Sequence, residues 1–127
     1  MMGDLTKNFS RSEFACKCGC GKDHIDARVV NMCQIIRDKM NMAVTVGSGV
    51  RCVKRNAAVG GVDGSFHTKG TAADLSCAAG AEKLFLCIVN LYAAGKLPDL
   101  KYCIWYKKKN FVHIDCGKDR SVIFAIN

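Results

Sequence analysis

Two short segments hold most of the side chains that could do chemistry in this chain. They span residues 65–74 and 111–115, and they contain two of the three histidines and two carboxylates: His67, Asp74, His113 and Asp115. Two imidazoles and one carboxylate are ligand types of a catalytic zinc site, which keeps one coordination position for water. If the two segments meet in space, the sequence therefore indicates a hydrolase.

The second segment has the alternation of a strand with one polar face. Because successive side chains of a strand point to opposite faces, His113 and Asp115 share a face with Phe111. Val112 and Ile114 then point the other way, toward a core. The apolar face is thus accounted for, and the polar face carries potential ligands.

A predicted strand at residues 73–77 has the same division. Asp74 and Ser76 share one face, and the opposite face is apolar, with Ala73, Leu75 and Cys77. His67 lies seven residues before Asp74, so an unbroken strand would place the two on opposite faces. Gly70 can supply the turn that brings them together, because glycine adopts backbone angles that other residues avoid.

Each of these residues taken alone also fits a structural role. His67 could lie on a surface loop, Asp74 could cap a turn or helix, and His113 could be a hydrogen-bonded histidine of the sheet. The four together favour a functional site more than any one of them does.

The remaining periodicity predicts an α+β fold, an antiparallel sheet with flanking helices, in one domain over residues 1–127. Asp26 is the expected N-cap of the first helix, and residues 107–110 the turn of a hairpin. The predicted helices are 27–41, 53–58 and 81–94. The predicted strands are 44–46, 73–77, 101–106, 111–115 and 122–126.

Charge limits the partners without choosing one. Lys and Arg outnumber the acids 19 to 11, a net charge of +8, which favours nucleic acid, an anionic membrane or an acidic cell-wall polymer, or simply keeps the chain soluble. No apolar run reaches the roughly 18 residues of a membrane span. Residues 1–10 lack the apolar core of a secretory signal, so we expect cytoplasmic synthesis.

The nine cysteines cannot all pair within one chain, because their number is odd. We expect mostly free thiols in a reducing compartment. Five of them have apolar neighbours and are expected to behave as small core residues: Cys33, Cys52, Cys77, Cys87 and Cys103. Cys16, Cys18 and Cys20 could bind a second metal, but their spacing is unlike that of zinc knuckles, so a loop with reduced thiols is preferred.

The motif Ser65-x-His67-x-x-Gly70-x-Ala72-x-Asp74 resembles the signature of the D-alanyl-D-alanine carboxypeptidase group of zinc peptidases, the M15 family. The small subgroup of bacteria and phage endolysins is the most similar. Three further segments agree with it: residues 8–16, the arginine segment 48–52 with Asn56 and Gly60-Gly61 after it, and residues 111–115.

The resemblance implies a small α+β zinc-peptidase fold and a role for each matching residue. His67, Asp74 and His113 would hold Zn2+, Arg51 would bind a carboxylate of the peptide substrate, and Ser65 would line the site. Arginine suits carboxylate recognition because its planar fork can donate to both oxygens.

One departure concerns the general base. Several relatives have an acidic residue three positions before the last histidine ligand, where this chain has Asn110, which cannot take a proton. Asp115 is the substitute on the same face as His113, and we assign it a catalytic role. The alternative is that Asp115 orients a ligand histidine.

We therefore expect a zinc peptidase that cleaves peptidoglycan stem peptides, by D-Ala-D-Ala carboxypeptidase or L-Ala-D-Glu-type endopeptidase action. It would act on the cell wall after release by another factor or export by another route. We expect no nucleic acid partner, and oligomeric state stays open. The alternative is a basic module that binds cell wall or nucleic acid without catalysis, to which the aromatic and basic residues 105–109 could contribute.

Overall fold

Helices and strands follow the predicted order in a computed structural model, which describes residues 3–127. A 3-10 turn at Arg11–Phe14, which was not predicted, precedes the first helix. The helices are α1 (Ala27–Met40), α2 (Val53–Ala58) and α3 (Ala81–Ala93). The strands are β1 (Val44–Ser48), β2 (Ala72–Cys77), β3 (Tyr102–Tyr106), β4 (Phe111–Asp115) and β5 (Ile123–Ile126).

The five strands form one sheet in the order β1-β2-β4-β3-β5. The predicted α+β class and the hairpin between β3 and β4 are confirmed. The expectation of antiparallel pairing is wrong for β5, which runs parallel to β3. Residues 116–122 cross the end of the sheet from the end of β4 to the start of β5, which lies beside the start of β3, and there the N–H of Ile123 donates to the carbonyl of Lys101.

The hydrophobic core lies between one face of the sheet and the helices α1 and α3. Cys33 and Ile36 of α1 and Ile88 of α3 are fully buried there, and they join Val112 and Ile114 of β4. Both helices place apolar residues at intervals of three and four, which gives each an apolar stripe toward the sheet. The opposite face of the central strands is left for polar side chains.

The ends of the helices have specific hydrogen bonds. The carboxylate of Asp26 accepts from the N–H of Arg28, as an N-cap does. Asn110, which has a left-handed backbone in the β3–β4 turn, accepts from the N–H of Ala81 at the start of α3. None of the helices in residues 3–127 has the length and apolar character needed to cross a bilayer.

The cysteines divide differently from the prediction. Cys33 and Cys103 are fully buried, and Cys77 and Cys87 pack at the edge of the core, as expected. The prediction is wrong for Cys52, which is half-buried at the N-terminus of α2. Its sulfur lies 3.6 Å from that of Cys18, and this contact joins α2 to the cysteine loop at residues 16–20.

Candidate metal centre

The two chemistry-bearing segments meet on the polar face of the sheet. Strands β2 and β4 are antiparallel neighbours, and their register places Asp74 directly opposite His113. Directly opposed residues of such a pair have their side chains on the same face. Leu75 and Val112, their neighbours in sequence, are fully buried on the other face, which agrees with the predicted alternation.

His67 reaches the same place from the loop before β2. Gly70 makes the required turn with φ of +75°, and a Cβ atom there would clash with the backbone carbonyl of His24. Any other residue would therefore be both strained and blocked at this position. The loop brings His67 against the polar face, where only 3% of the residue is exposed.

Three donor atoms converge at this point. Oδ1 of Asp74 lies 3.2 Å from Nε2 of His67 and 3.0 Å from Nδ1 of His113. All three atoms lie within 4.8 Å of one another. The three residues predicted to bind a metal are thus together, and the surface-loop and turn-cap interpretations of His67 and Asp74 are not what the geometry favours.

Each imidazole is held through its other ring nitrogen. Nδ1 of His67 lies 2.7 Å from the carbonyl oxygen of Gly49, which can only accept, so Nδ1 carries the proton. Nε2 of His113 lies 2.7 Å from the carboxylate of Asp115, so Nε2 donates. The remaining nitrogens, Nε2 of His67 and Nδ1 of His113, both face Oδ1 of Asp74, so each can donate a proton to it or, once deprotonated, offer a lone pair to a metal. Such hydrogen bonds fix the tautomer of a metal-binding histidine.

The pKa values of the paired groups follow from this network. Burial raises the pKa of Asp74, but hydrogen bonds from His113 and His67 outweigh it and hold that pKa well below its usual range. Burial lowers the pKa of His113, whereas its hydrogen bonds with Asp115 and Asp74 raise it, to about 9 in total. Without a metal, His113 is therefore a cation between two carboxylates at neutral pH.

Arg51 is fixed by three acceptors. Its Nε donates to Ser48 at 3.0 Å, one terminal nitrogen to Asn56 at 3.2 Å, and the other to Oδ2 of Asp74 at 3.2 Å. A guanidinium has five N–H groups, so these contacts leave two for another ligand. Arg51 thus positions the carboxylate of Asp74 and also lines the cleft beside it.

A cleft of about 510 Å³ opens above the convergence, and Ser65 is among the residues that line it. The hydroxyl of Ser65 accepts from the N–H of His67 at 3.2 Å. Lys109 lies at the edge of the cleft, so the basic stretch at residues 107–109 contributes to it. Among the described residues that line the cleft, the carboxylates are those of Asp74 and Asp115.

Two tyrosines of the cleft were missed from the sequence. Tyr102 and Tyr106 share the polar face of β3 and lie opposite Asp115 and Phe111 of β4. Burial raises the pKa of Tyr106, so its hydroxyl keeps its proton at neutral pH. The sequence signal that could have found them is the alternation of side chains along β3. It places both tyrosines on the face opposite the buried Cys103.

The departure at Asn110 has a structural account. Its side chain accepts a hydrogen bond from the N–H of Ala81 at 2.9 Å and so caps α3. The described walls of the cleft do not include this side chain. Two roles were considered for Asp115. Its contact with Nε2 of His113 is the geometry of a residue that orients a ligand histidine. The assignment of Asp115 as the catalytic group stays a prediction.

A mostly antiparallel sheet and the loop before β2 bring two imidazoles and a carboxylate together beside an open cleft, which is the arrangement of a metal-dependent hydrolase. A family model described as Peptidase M15 matches residues 7–115. The chain therefore belongs to the M15 peptidase family, and it is a metallopeptidase. No curated protein gave a match.

The donor set fits a divalent metal ion. One oxygen and two nitrogens from three residues converge, each nitrogen offers a lone pair once it has lost its proton, and Asp74 stays ionised. Binding must displace the proton that His113 holds toward Asp74, so the metal competes with protons at this site.

In metal-free protein, the contribution of His113 to the free energy of unfolding should fall as the pH rises from 6.5 to 9. The pKa of His113 is raised from 6.5 to about 9 by folding, so its contribution is complete below pH 6.5 and is lost as the pH rises through 9, with a slope of at most roughly 1.4 kcal/mol per pH unit. Urea unfolding of chelator-treated protein at several pH values measures this.

His113→Gln should remove this contribution to the slope of the unfolding free energy against pH, because glutamine does not titrate. His24→Gln is the matched control, since His24 is the exposed third histidine and should leave the slope unchanged. Equal slopes in His113→Gln and the parent protein would contradict the assignment.

Proposed function

We propose that this metallopeptidase uses Zn2+ and cleaves peptidoglycan stem peptides at a bond next to a D-amino acid. The observation that carries the proposal is the convergence of His67, Asp74 and His113 at the base of a cleft that Arg51 also lines. The likeness to D-alanyl-D-alanine carboxypeptidases and phage endolysins in residues 65–74 supports this substrate class.

Zinc is supported by the ligand types. Histidine nitrogens and a carboxylate oxygen, three in number, are the protein ligands of catalytic zinc sites, whereas magnesium and calcium prefer oxygen alone. When bound, zinc supplies Lewis-acid chemistry, polarising a carbonyl and lowering the pKa of a water molecule to about 7.

The chain's own residues would bind and orient the peptide. The two N–H groups that Arg51 does not use within the protein can donate to a substrate carboxylate. Lys109 at the edge of the cleft and the net charge of +8 favour an acidic peptide. The protonated hydroxyl of Tyr106 is a donor in the wall of the same cleft. Ser65 lies there as well and would help to hold the substrate.

Cell-wall peptides carry free carboxylates, and this distinguishes them from a nucleic acid ligand. The proposed place of action is the cell wall, reached after release in the manner of an endolysin.

Carboxypeptidase and endopeptidase action differ in whether the carboxylate that is recognised belongs to the terminal residue of the peptide or to a neighbouring side chain. The alternative of a binding module without catalysis is less well supported, because the chain belongs to a peptidase family.

Purified muropeptides should be cleaved by the zinc-loaded protein and left intact when a chelator is present, with recovery on added zinc. Mass spectrometry of the products identifies the bond that is cut. His67→Ala should abolish cleavage, because it removes one nitrogen ligand, whereas His24→Ala should leave it intact. Intact muropeptides of every stem type after incubation with zinc-loaded protein would refute the proposal.

Arg51→Lys should raise KM for the cleaved peptide, because lysine lacks the planar fork. The same change also weakens the support of Asp74, so a second substrate is needed, with the recognised carboxylate converted to an amide. Substrate binding by Arg51 predicts a roughly 10-fold or larger penalty on the acid and a small one on the amide, since a charged hydrogen bond contributes about 1.5–3 kcal/mol. Equal penalties would assign Arg51 to the support of Asp74 alone.

We propose that Asp115 acts by orienting His113, given the 2.7 Å contact. Asp115→Asn should then weaken zinc binding about 10- to 100-fold, with activity restored by excess zinc. A general base instead predicts unchanged zinc affinity and a loss of about 100- to 10,000-fold in kcat that zinc does not restore. Zinc titration and kcat measured on the same preparation distinguish the two.

A further inference from the structure

A second group of metal-binding side chains lies outside the cleft. Cys16, Cys18 and Cys20 lie on the loop that follows the 3-10 turn, and Cys52 begins α2. The four sulfur atoms all lie within 4.8 Å of one another. Residues 16 and 52 are far apart in sequence, so the fold itself assembles the group.

We propose that Cys16, Cys18, Cys20 and Cys52 bind a structural zinc ion. Tetrahedral zinc with Zn–S bonds of about 2.3 Å requires sulfur atoms about 3.8 Å apart. The sulfur of Cys18 lies 3.4 Å from that of Cys16 and 3.6 Å from that of Cys52. Four cysteines with no open position form a closed site, as structural zinc sites do.

The backbone around the cluster supports thiolates. The N–H of Cys52 donates to the sulfur of Cys16 at 3.4 Å, and the N–H of Arg55 donates to the sulfur of Cys52 at 3.3 Å. These donors stabilise negative charge on sulfur, which is the form that binds metal. The bond to Cys52 comes from the first turn of α2, where backbone N–H groups have no partner within the helix.

The loop is shaped to return its cysteines to one point. Gly19 has a φ of +82°, a conformation that side chains with a Cβ atom rarely adopt. The N–H of Cys16 donates to the carbonyl of Lys22 at 2.8 Å and closes the loop. Lys17 and Lys22 are on the loop and Lys54 and Arg55 on α2, so the segments that carry the four cysteines also carry positive charge.

Metal at this position would join the N-terminal segment to the segment that holds Arg51. Phe14, just before the loop, already accepts a hydrogen bond from the N–H of Val50. Cys52 follows Arg51 directly and caps the helix that carries Asn56, a partner of Arg51. The site therefore has a structural role that does not depend on the reaction in the cleft.

Metal analysis of three double variants, each with two substitutions in one protein, tests the proposal. His67→Ala with His113→Ala empties the cleft site, and Cys18→Ser with Cys20→Ser removes two exposed sulfurs from the cluster. Cys77→Ser with Cys87→Ser is the matched control for the loss of two thiols elsewhere. All proteins are purified under reducing conditions, and zinc per chain is measured after dialysis.

We expect two zinc ions per chain in the parent protein and in the control variant. We expect one zinc ion per chain in each of the other two double variants. X-ray absorption of the His67→Ala, His113→Ala protein should show four Zn–S contacts at about 2.3 Å. Its cobalt form should show thiolate-to-cobalt charge-transfer bands. This protein has no peptidase activity under the proposed function, so failure of one proposal is distinguishable from failure of the other.

Absence of sulfur contacts in that protein would overturn the proposal, and this holds even if the Cys18→Ser, Cys20→Ser protein fails to fold. A disulfide within the cluster, detected by alkylation and mass spectrometry of reduced-purified protein, would also overturn it. An unchanged zinc content in Cys18→Ser, Cys20→Ser would do the same.

Discussion

The pairing of β2 with β4 is the constraint on which the candidate metal centre depends. It places Asp74 opposite His113 and leaves the next pair, Leu75 and Val112, in the core. A slip of one residue would turn every side chain of one strand to the other face, burying a carboxylate against the helices and exposing leucine or valine. The hydrophobic core therefore fixes the register, and the register fixes the distance between a carboxylate and an imidazole.

The two carboxylates on the polar face of the sheet need positive charge beside them. Asp74 accepts from both imidazoles and from Arg51, while Asp115 accepts from His113. A buried carboxylate requires such partners, because desolvation of an unpaired charge is costly. In the metal-free protein the proton on His113 supplies positive charge, and a divalent ion would replace it while Asp115 and Gly49 keep both rings in place. The arrangement is thus prepared for metal before metal arrives.

Much of the fold and of the candidate metal centre could be predicted from local sequence pattern, and the exceptions have physical reasons. The alternation in β2 and β4 is a period-two signal, and the N-cap at Asp26 and the turn at Gly70 are properties of single residues, so both are visible in sequence. The parallel pairing of β5 was missed because it depends on the path of residues 116–122. Tyr102 and Tyr106 were missed because alternation shows that they share a face, but only the sheet order shows that the face is that of His113. Cys52 was misassigned because its apolar neighbours conceal a contact with residues far away in the chain.

Residues 48–56 connect these parts of the molecule. Ser48 pairs with Asp74 across β1 and β2 and accepts from Arg51, Gly49 holds His67, and Asn56 returns to Arg51 from α2. One short segment thus supports both a ligand carboxylate and a ligand histidine, and its own position depends on how α2 is anchored. Cys52 is that anchor, because it begins α2 and faces the cysteine loop. Contacts outside the cleft therefore help to position Arg51, and those between Cys52 and the cysteine loop are among them.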